Sequence, residues 1–172
     1  PSGLSLAPEG GAHQSIATPL IGMGQPGLSS FEPAFADELS EIMRWGFEHM
    51  QADDGGSVYL RLSTLALAPP KRTITAKLRR EILSGAYWRV KPGRQAKGAI
   101  IYTGALAGEA ADAHARLQDD AIGLLAVTSA DQLYRDWRTR GEKSHIAKLL
   151  SDLKPGARLV TVLDGHPAAL SW

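Results

Sequence analysis

The sequence predicts an α/β protein made of parts of two consecutive α/β domains with mostly parallel sheets. Short apolar runs alternate with stretches of helical period, a pattern typical of βαβ units. A Pro-Pro pair followed by a basic run interrupts this alternation near the middle of the chain. The 172 residues, 44% of them hydrophobic and 22% charged, are enough to bury a core.

The first third of the chain predicts a loop, a helix and a strand. Residues 1–32 are rich in Gly, Pro and Ser and show no regular period, so we predict a long loop there. A helix is expected over 34–51, where Pro33 suits the first turn and acidic residues, among them Glu38, form the polar side. Its apolar face comprises Phe35, Leu39, Ile42, Met43, Phe47 and Met50. Alternating apolar and polar residues at 58–62 then predict a strand buried on one face.

The rest of the chain predicts a linker and a second α/β unit. A linker is expected at 65–75, followed by a short helix ending before Gly85 and an edge strand at 87–90. Strands are expected at 99–102, 122–127 and 159–163, and helices at 107–118, 130–138 and 143–153. Ligands and partners meet the carboxyl ends of parallel strands. Those ends carry Thr103-Gly104, Thr128-Ser129 and Asp164-Gly165-His166.

The charge is small overall but unevenly spread. The chain carries +1, whereas residues 71–97 hold nine Lys or Arg and one acid. Such a stripe suits an acidic partner or a solvated linker, and we predict that it is exposed along most of its length. With no nucleic-acid motif and no run of 18 apolar residues, we expect neither a nucleic-acid nor a membrane partner. The absence of cysteine and of a leader agrees with a cytoplasmic location.

Several common motifs are absent or misplaced. Residues 22–27 match G-x-G-x-x-G, but Pro26-Gly27 falls where the dinucleotide-binding helix should run. No two histidines lie three to five residues apart, so helical metal pairs are excluded and no metal site is expected. We expect His114 and His145 to be surface residues without partners. After the last strand, His166 lining a cleft and Asp164 capping a following helix are alternative interpretations.

The most informative stretch is Glu-Gly-Gly-Ala-His-Gln at residues 9–14. Its two glycines let the backbone approach a ligand closely, and His13 can exchange protons near neutral pH. On these residues alone, a surface turn with a solvated histidine remains the alternative.

This stretch resembles the acid-Asp-Gly-x-x-His-Gln loop of thiamine-diphosphate enzymes of the transketolase type. Residues 31–34 leading into a helix, and then 57–62, follow in the order of that family. Residues 123–131 and 160–167 are similar to a bacterial branch, the decarboxylating component of the single-chain pyruvate dehydrogenase type. The resemblance runs over nearly the whole chain, which would be a piece of the enzyme.

The resemblance implies a domain organisation and two site residues. Residues 1–66 would be the later half of a pyrimidine-binding domain, 67–96 a basic interdomain linker with a short helix, and 97–172 the first part of the C-terminal α/β domain. His13 would be catalytic and Glu9 would contribute to cofactor binding.

The resemblance also implies cofactors and partners. The full-length enzyme would use thiamine diphosphate and Mg²⁺, with most of the binding residues outside this chain. It would be a homodimer that decarboxylates a 2-oxo acid, and pyruvate is the expected substrate. The acyltransferase component of a 2-oxo acid dehydrogenase complex would be a partner. The alternatives are a sugar-transferring transketolase and a non-catalytic module that docks an acidic partner through residues 71–97.

Overall fold

A computed structural model describes residues 3–5, 16–93 and 95–172, which form six helices and six strands in two sheets. In chain order these are α1 (Thr18–Gly24), β1 (Leu28–Phe31), α2 (Ala36–Gln51), β2 (Ser57–Leu60), α3 (Ala76–Leu83), β3 (Ala86–Val90), β4 (Ala96–Thr103), α4 (Ala107–Leu117), β5 (Ile122–Val127), α5 (Ala130–Arg140), α6 (His145–Leu150) and β6 (Leu153–Val162). Within these ranges we find no helix with the length and apolar character needed to cross a bilayer.

Most strand pairs in the two sheets are parallel. Strands β1 and β2 form a two-stranded parallel sheet in which Leu28 lies opposite Ser57 and Phe31 opposite Leu60. The second sheet has the order β3-β5-β4-β6, with β4 parallel to both neighbours and β3 antiparallel to β5. The predicted α/β class with mostly parallel sheets is therefore confirmed.

The two central strands of the four-stranded sheet, β4 and β5, are buried on both faces, as strands of parallel sheets usually are, whereas the edge strand β6 is mostly exposed. Alternate residues of β4 and β5 point to opposite faces, so Ile100 and Leu124 enter one apolar cluster while Ile101 and Leu125 enter another. The first cluster also contains Ile42 of α2, so the first part of the chain packs into a core shared with the second sheet.

Two elements lie inside the predicted loop at 1–32, and that prediction is wrong over 18–31. Helix α1 begins at Thr18 with Pro19 in its first turn, and β1 follows a turn that contains Gly27. Strand β1 has only four residues and is almost wholly buried, so its sequence shows no alternation. A strand, and not a helix, follows residues 22–27. This agrees with the prediction that these residues are not a dinucleotide-binding motif, since that motif opens a helix.

The observed boundaries of the last helix and the last strand differ from the predicted ones. Helix α6 ends at Leu150 and β6 already begins at Leu153, so the helix predicted over 143–153 is shorter and the strand predicted at 159 starts earlier. The early part of β6 is polar and contains Pro155 and Gly156, which hid it from a pattern search.

Helix α2 turns a different face to the core from the one predicted. Its buried residues are Glu38, Ile42 and Gly46, whereas Met43, Phe47 and Met50 are exposed. At Gly46 an added Cβ would lie 3.6 Å from both Val58 methyl groups, so this position faces β2 at ordinary contact distance. The predicted apolar face is therefore confirmed for Phe35 and Ile42, which are buried, and wrong for Met43, Phe47 and Met50.

The basic segment 71–97 is less exposed than predicted. It contains α3 and β3, in agreement with the predicted short helix and edge strand. Among its described residues, however, the buried or half-buried ones outnumber the exposed ones, so the prediction that it is exposed along most of its length is wrong. Five of its cations pair with acids of the same chain: Arg72, Lys77, Arg79, Lys91 and Lys97. These pairs reduce the charge available to an acidic partner. The domain boundaries at 66 and 96 remain predictions.

The turn between α3 and β3 requires glycine. Gly85 has a φ of +104°, and a Cβ there would lie 2.5 Å from the carbonyl oxygen of Ser129. We expect Gly85→Ala to lower the free energy of unfolding by about 2–4 kcal/mol, through backbone strain and this clash. Denaturant titration measures the loss. The control is Gly24→Ala, where nothing lies within 4 Å of an added Cβ and we expect a change below about 1 kcal/mol. Equal effects would contradict the argument.

Candidate functional site

The carboxyl ends of the strands in both sheets face one another. Glu32 follows β1, Arg61 follows β2, and the ends of β4, β5 and β6 supply Thr103, Thr128 and Asp164. The backbone N–H of Glu32 donates to the carbonyl oxygen of Thr128 at 2.7 Å, which joins the two sheets directly. The predicted strand ends at Thr103, Thr128 and Asp164 therefore do lie together.

Arg61 lies between two carboxyl groups at this junction. Its Nη1 is 2.6 Å from Glu32 Oε1, and its Nη2 is 3.6 Å from Asp164 Oδ2. The Arg61 side chain is only 1% exposed. Burial raises the pKa of the Glu32 carboxyl from 4.5 to about 7, although the Arg61 guanidinium opposes this shift. Leu4 adds a backbone N–H that donates to Asp164 Oδ2 at 2.8 Å.

A second cluster ties β1 to the beginning of α5. The Ser129 hydroxyl accepts a hydrogen bond from the backbone N–H of Gln132 and donates one to the carbonyl oxygen of Ser30. The backbone N–H of Ser30 donates to Asp131 Oδ2 at 2.9 Å, and Arg135 Nε lies 2.9 Å from Asp131 Oδ1. Burial raises the pKa of Asp131. Every polar group named here holds the junction in place, which indicates a structural role.

A third network joins α2 to the segment before α3. Arg72 donates through Nε and Nη2 to the Asp37 carboxylate at 2.7 and 2.9 Å, and also through Nη2 to Glu38 Oε1 at 3.1 Å. The Tyr87 hydroxyl accepts from Arg72 Nη1 and donates to Glu38 in a short hydrogen bond. Burial raises the pKa of Tyr87, and Glu38 adds to this, so the phenol stays protonated.

The cavity at the junction is small. Its volume is about 30 Å³, roughly the space of one water molecule, and it is lined by Tyr59 and Asp131 in addition to the Arg61 cluster. No group of three or more His, Asp or Glu side chains in the described part of the chain is arranged to hold a metal ion. These residues therefore do not form a site for a large organic cofactor or for its metal ion.

The two predicted site residues, Glu9 and His13, lie outside the described residues, so their roles stay predictions. Two other histidines have partners, contrary to expectation: His114 Nε2 lies 2.9 Å from the carbonyl oxygen of Ile122, and His145 Nε2 lies 2.6 Å from that of Ala86. The residue that caps the short helical turn after β6 is His166 and not Asp164. Its Nδ1 accepts a hydrogen bond from the backbone N–H of Ala168.

The sequence interpretation missed three residues of the junction: Glu32, Arg61 and Asp131. Glu32 was missed because β1 was not predicted, and Arg61 was assigned to the polar side of its strand. Asp131 stands in the first turn of a predicted helix, where an acid normally stays in solvent. The sequence contains no signal for Glu32, because β1 has no alternating pattern, whereas Arg61 lies at the carboxyl end of a predicted strand, where ligand-binding and junction residues collect.

No protein-family model matches this chain, and no curated protein matches it. Solved structures, by contrast, do match this chain. A transketolase from Leishmania mexicana superposes with a TM-score of 0.69 at 16% identity, over 92% of this chain and 21% of its own. A mutant transketolase from Pichia stipitis gives 0.65 at 21% identity, over 90% and 21%. A split-gene transketolase, described as an inactive β4 tetramer, gives 0.54 at 19% identity, over 92% and 56%.

At these identities the likeness establishes the fold. The chain has a transketolase-like α/β fold with mostly parallel sheets, and nearly all of it takes part in the match. It spans about a fifth of the length of the first two transketolases.

Proposed function

We propose that this chain is part of a thiamine-diphosphate-dependent enzyme that decarboxylates a 2-oxo acid, with pyruvate as the substrate. The observation that carries the proposal is the transketolase-like fold over about nine-tenths of the chain. The loop at residues 9–14 supports it, because its acid, glycines and His-Gln pair resemble the corresponding loop of such enzymes.

Two sequence runs support pyruvate. Residues 123–131 correspond to β5 and the start of α5, and residues 160–167 to the end of β6 and the turn after it. Both resemble the decarboxylating component of pyruvate dehydrogenase, and both lie at the junction of the two sheets. Pro8 departs from this branch, which carries a histidine before the loop acid.

A sugar-transferring transketolase is the second candidate. It is favoured by the similar structures, one of which is a transketolase from Pichia stipitis in complex with fructose 6-phosphate, matched at 22% identity and a TM-score of 0.64. Both candidates require the same cofactor, so the difference between them lies in the substrate.

In either enzyme, Glu9 would shape the loop beside the cofactor and His13 would exchange a proton with a substrate oxygen. Thiamine diphosphate would supply the carbanion chemistry. The residues at the junction do not fit the cofactor or its metal ion by themselves, so we propose that its binding needs further polypeptide.

We also propose that the complete protein is a homodimer. Met43, Phe47 and Met50 form an exposed apolar stripe on α2, and Leu62 and Leu65 are exposed after β2. Exposed apolar surface of this kind is typical of protein interfaces. Within a dehydrogenase complex, the acyltransferase component would be a further partner.

The assay that tests the proposal compares two substrates on the complete polypeptide. With thiamine diphosphate and Mg²⁺ present, we expect decarboxylation of pyruvate, measured by release of CO₂, to exceed transfer of a two-carbon unit between sugar phosphates. The isolated 172-residue chain serves as the control, and calorimetry should find no micromolar binding of the cofactor to it. Faster sugar transfer would select the second candidate. Micromolar binding of the cofactor by the isolated chain would contradict the proposal that cofactor binding needs further polypeptide.

A further inference from the structure

A groove at the amino ends of β4, β5 and β6 is lined by three cations and no acid. Its charged residues are Lys97, Lys154 and Arg158, and the other residues that line it are apolar or glycine. Its volume is about 440 Å³, within the roughly 300–1,000 Å³ of small-molecule sites. We call it the amino-end groove, because the junction described above lies at the opposite ends of the same strands.

Little negative charge balances these cations. Lys97 Nζ lies 3.8 Å from Asp119 Oδ2, and both side chains are well exposed, at 64% and 38%, so solvent screens this pair. Lys154 and Arg158 form no ion pair with the acids of the described part of the chain. Three cations against the Asp119 carboxylate leave an excess of two positive charges around the groove, which favours an anionic ligand.

The floor of the groove is a depression in the sheet at Gly98. This residue pairs with Ile122 of β5 on one side and with Arg158 of β6 on the other. A Cβ at position 98 would lie 2.4 Å from the carbonyl oxygen of Arg158, so a side chain there would force β6 away. Because glycine lacks a side chain, the surface between Ile122 and Arg158 leaves room for a narrow ligand.

The walls of the groove are apolar and partly in water. Leu117, at the end of α4, is 53% exposed, and Val160 of β6 is 57% exposed. A hydrocarbon chain that lies against both would remove apolar surface from water, which favours binding. A peptide fits less well, because lysine and arginine only donate hydrogen bonds and the lining offers the N–H groups of a peptide no side-chain acceptor.

We propose that the amino-end groove binds an acyl carboxylate, an unbranched hydrocarbon chain that ends in one carboxylate group. Arg158 and Lys154 bind the carboxylate, whose two oxygens match the planar guanidinium of arginine. The hydrocarbon chain lies between Leu117 and Val160. The site is independent of the activity proposed above, since it lies at the other end of β4 from the junction and shares no residue with it.

The test is calorimetry of the complete polypeptide with decanoate as the probe, and with decanol and acetate for comparison. Decanol has the same chain without the charge, and acetate has the charge without the chain. We expect decanoate to bind at least about 10-fold more tightly than either, since a hydrogen bond to a charged group contributes that much. Equal binding of decanol or of acetate would overturn the proposal, and so would the absence of decanoate binding.

Three variants locate the site. Arg158→Gln and Lys154→Gln each remove one exposed cation, so we expect each to weaken decanoate binding about 5- to 10-fold and to leave decanol binding unchanged. The control Lys143→Gln removes an exposed lysine of the turn before α6, outside the groove, and should bind decanoate as the unmodified protein does. Equal weakening by the control would show a general attraction of anions, and weakening by neither groove variant would place the ligand elsewhere. Either result would overturn the proposal.

Discussion

Replacing His13 by Ala in the complete enzyme is expected to lower turnover by about 10²- to 10⁴-fold, the usual range for loss of a general acid or base. An imidazole changes its protonation near neutral pH, which suits a group that meets a substrate oxygen as charge develops there. In the predicted loop, the neighbouring glycines would leave the backbone free of side-chain bulk beside the substrate. Steady-state rates with the favoured substrate measure the effect.

The same variant should retain its melting temperature, because a loop substitution outside the core typically changes stability by only about 0.5 kcal/mol. His49→Ala is the matched control: His49 stacks on Trp45 at 4.6 Å near the end of α2, and its loss should leave turnover unchanged. A normal rate for His13→Ala would make residues 9–14 an ordinary surface turn. A large fall in melting temperature together with the rate would give His13 a structural role.

Replacing Arg72 by Ala is expected to lower the free energy of unfolding by about 3–5 kcal/mol, the range seen when one partner of a buried ion pair is removed. Arg72 is 15% exposed and Glu38 is 1% exposed, so the substitution leaves a carboxylate buried without its cation. Although burial alone would raise the pKa of Asp37, its hydrogen bonds with Arg72 hold that pKa below 3.8. The variant therefore also loses stability that depends on an ionised Asp37, and that contribution is present only above about pH 4.

Two further variants make this measurement specific. Arg72→Lys keeps the charge but not the planar fork that binds Asp37 through two nitrogens, so it should recover only part of the stability. Arg44→Ala removes a cation that is 61% exposed and lies 3.7 Å from Glu41, and we expect a loss below about 1 kcal/mol. Similar losses for Arg44→Ala and Arg72→Ala would show that the network adds little.

The elements that carry their own hydrophobic pattern were predictable from the sequence. Strands β4 and β5 are apolar runs flanked by helices, and the positions of Thr103 and Thr128 at their carboxyl ends followed from the parallel arrangement. Helix α5 was predicted close to its observed position, and its N-cap, Ser129, accepts a hydrogen bond from the backbone N–H of Gln132.

The elements that depend on distant partners were not predictable. Strand β1 has no pattern of its own and is fixed by contacts such as the one between Ser30 and Asp131. The sequence predicted that Glu38 faces solvent, because its partners Arg72 and Tyr87 are distant in sequence and no local pattern indicates them. The buried face predicted for α2 was wrong at Met43, Phe47 and Met50 for the same reason, because the helix turns Glu38 towards these distant partners.

The long sequence separations at the junction have a kinetic consequence. Ser30 and Asp131 are 101 residues apart, and Leu4 and Asp164 are 160 apart, so each contact closes a long loop of chain. Closing such loops costs entropy before any contact compensates for it, and proteins rich in distant contacts fold slowly. The four-stranded sheet, whose β4 and β5 pair through one short crossover, can form first. Until the junction closes, the backbone groups of β1 that later bind Ser129 and Asp131 stay open to other chains, so slow docking is the stage at which aggregation competes with folding.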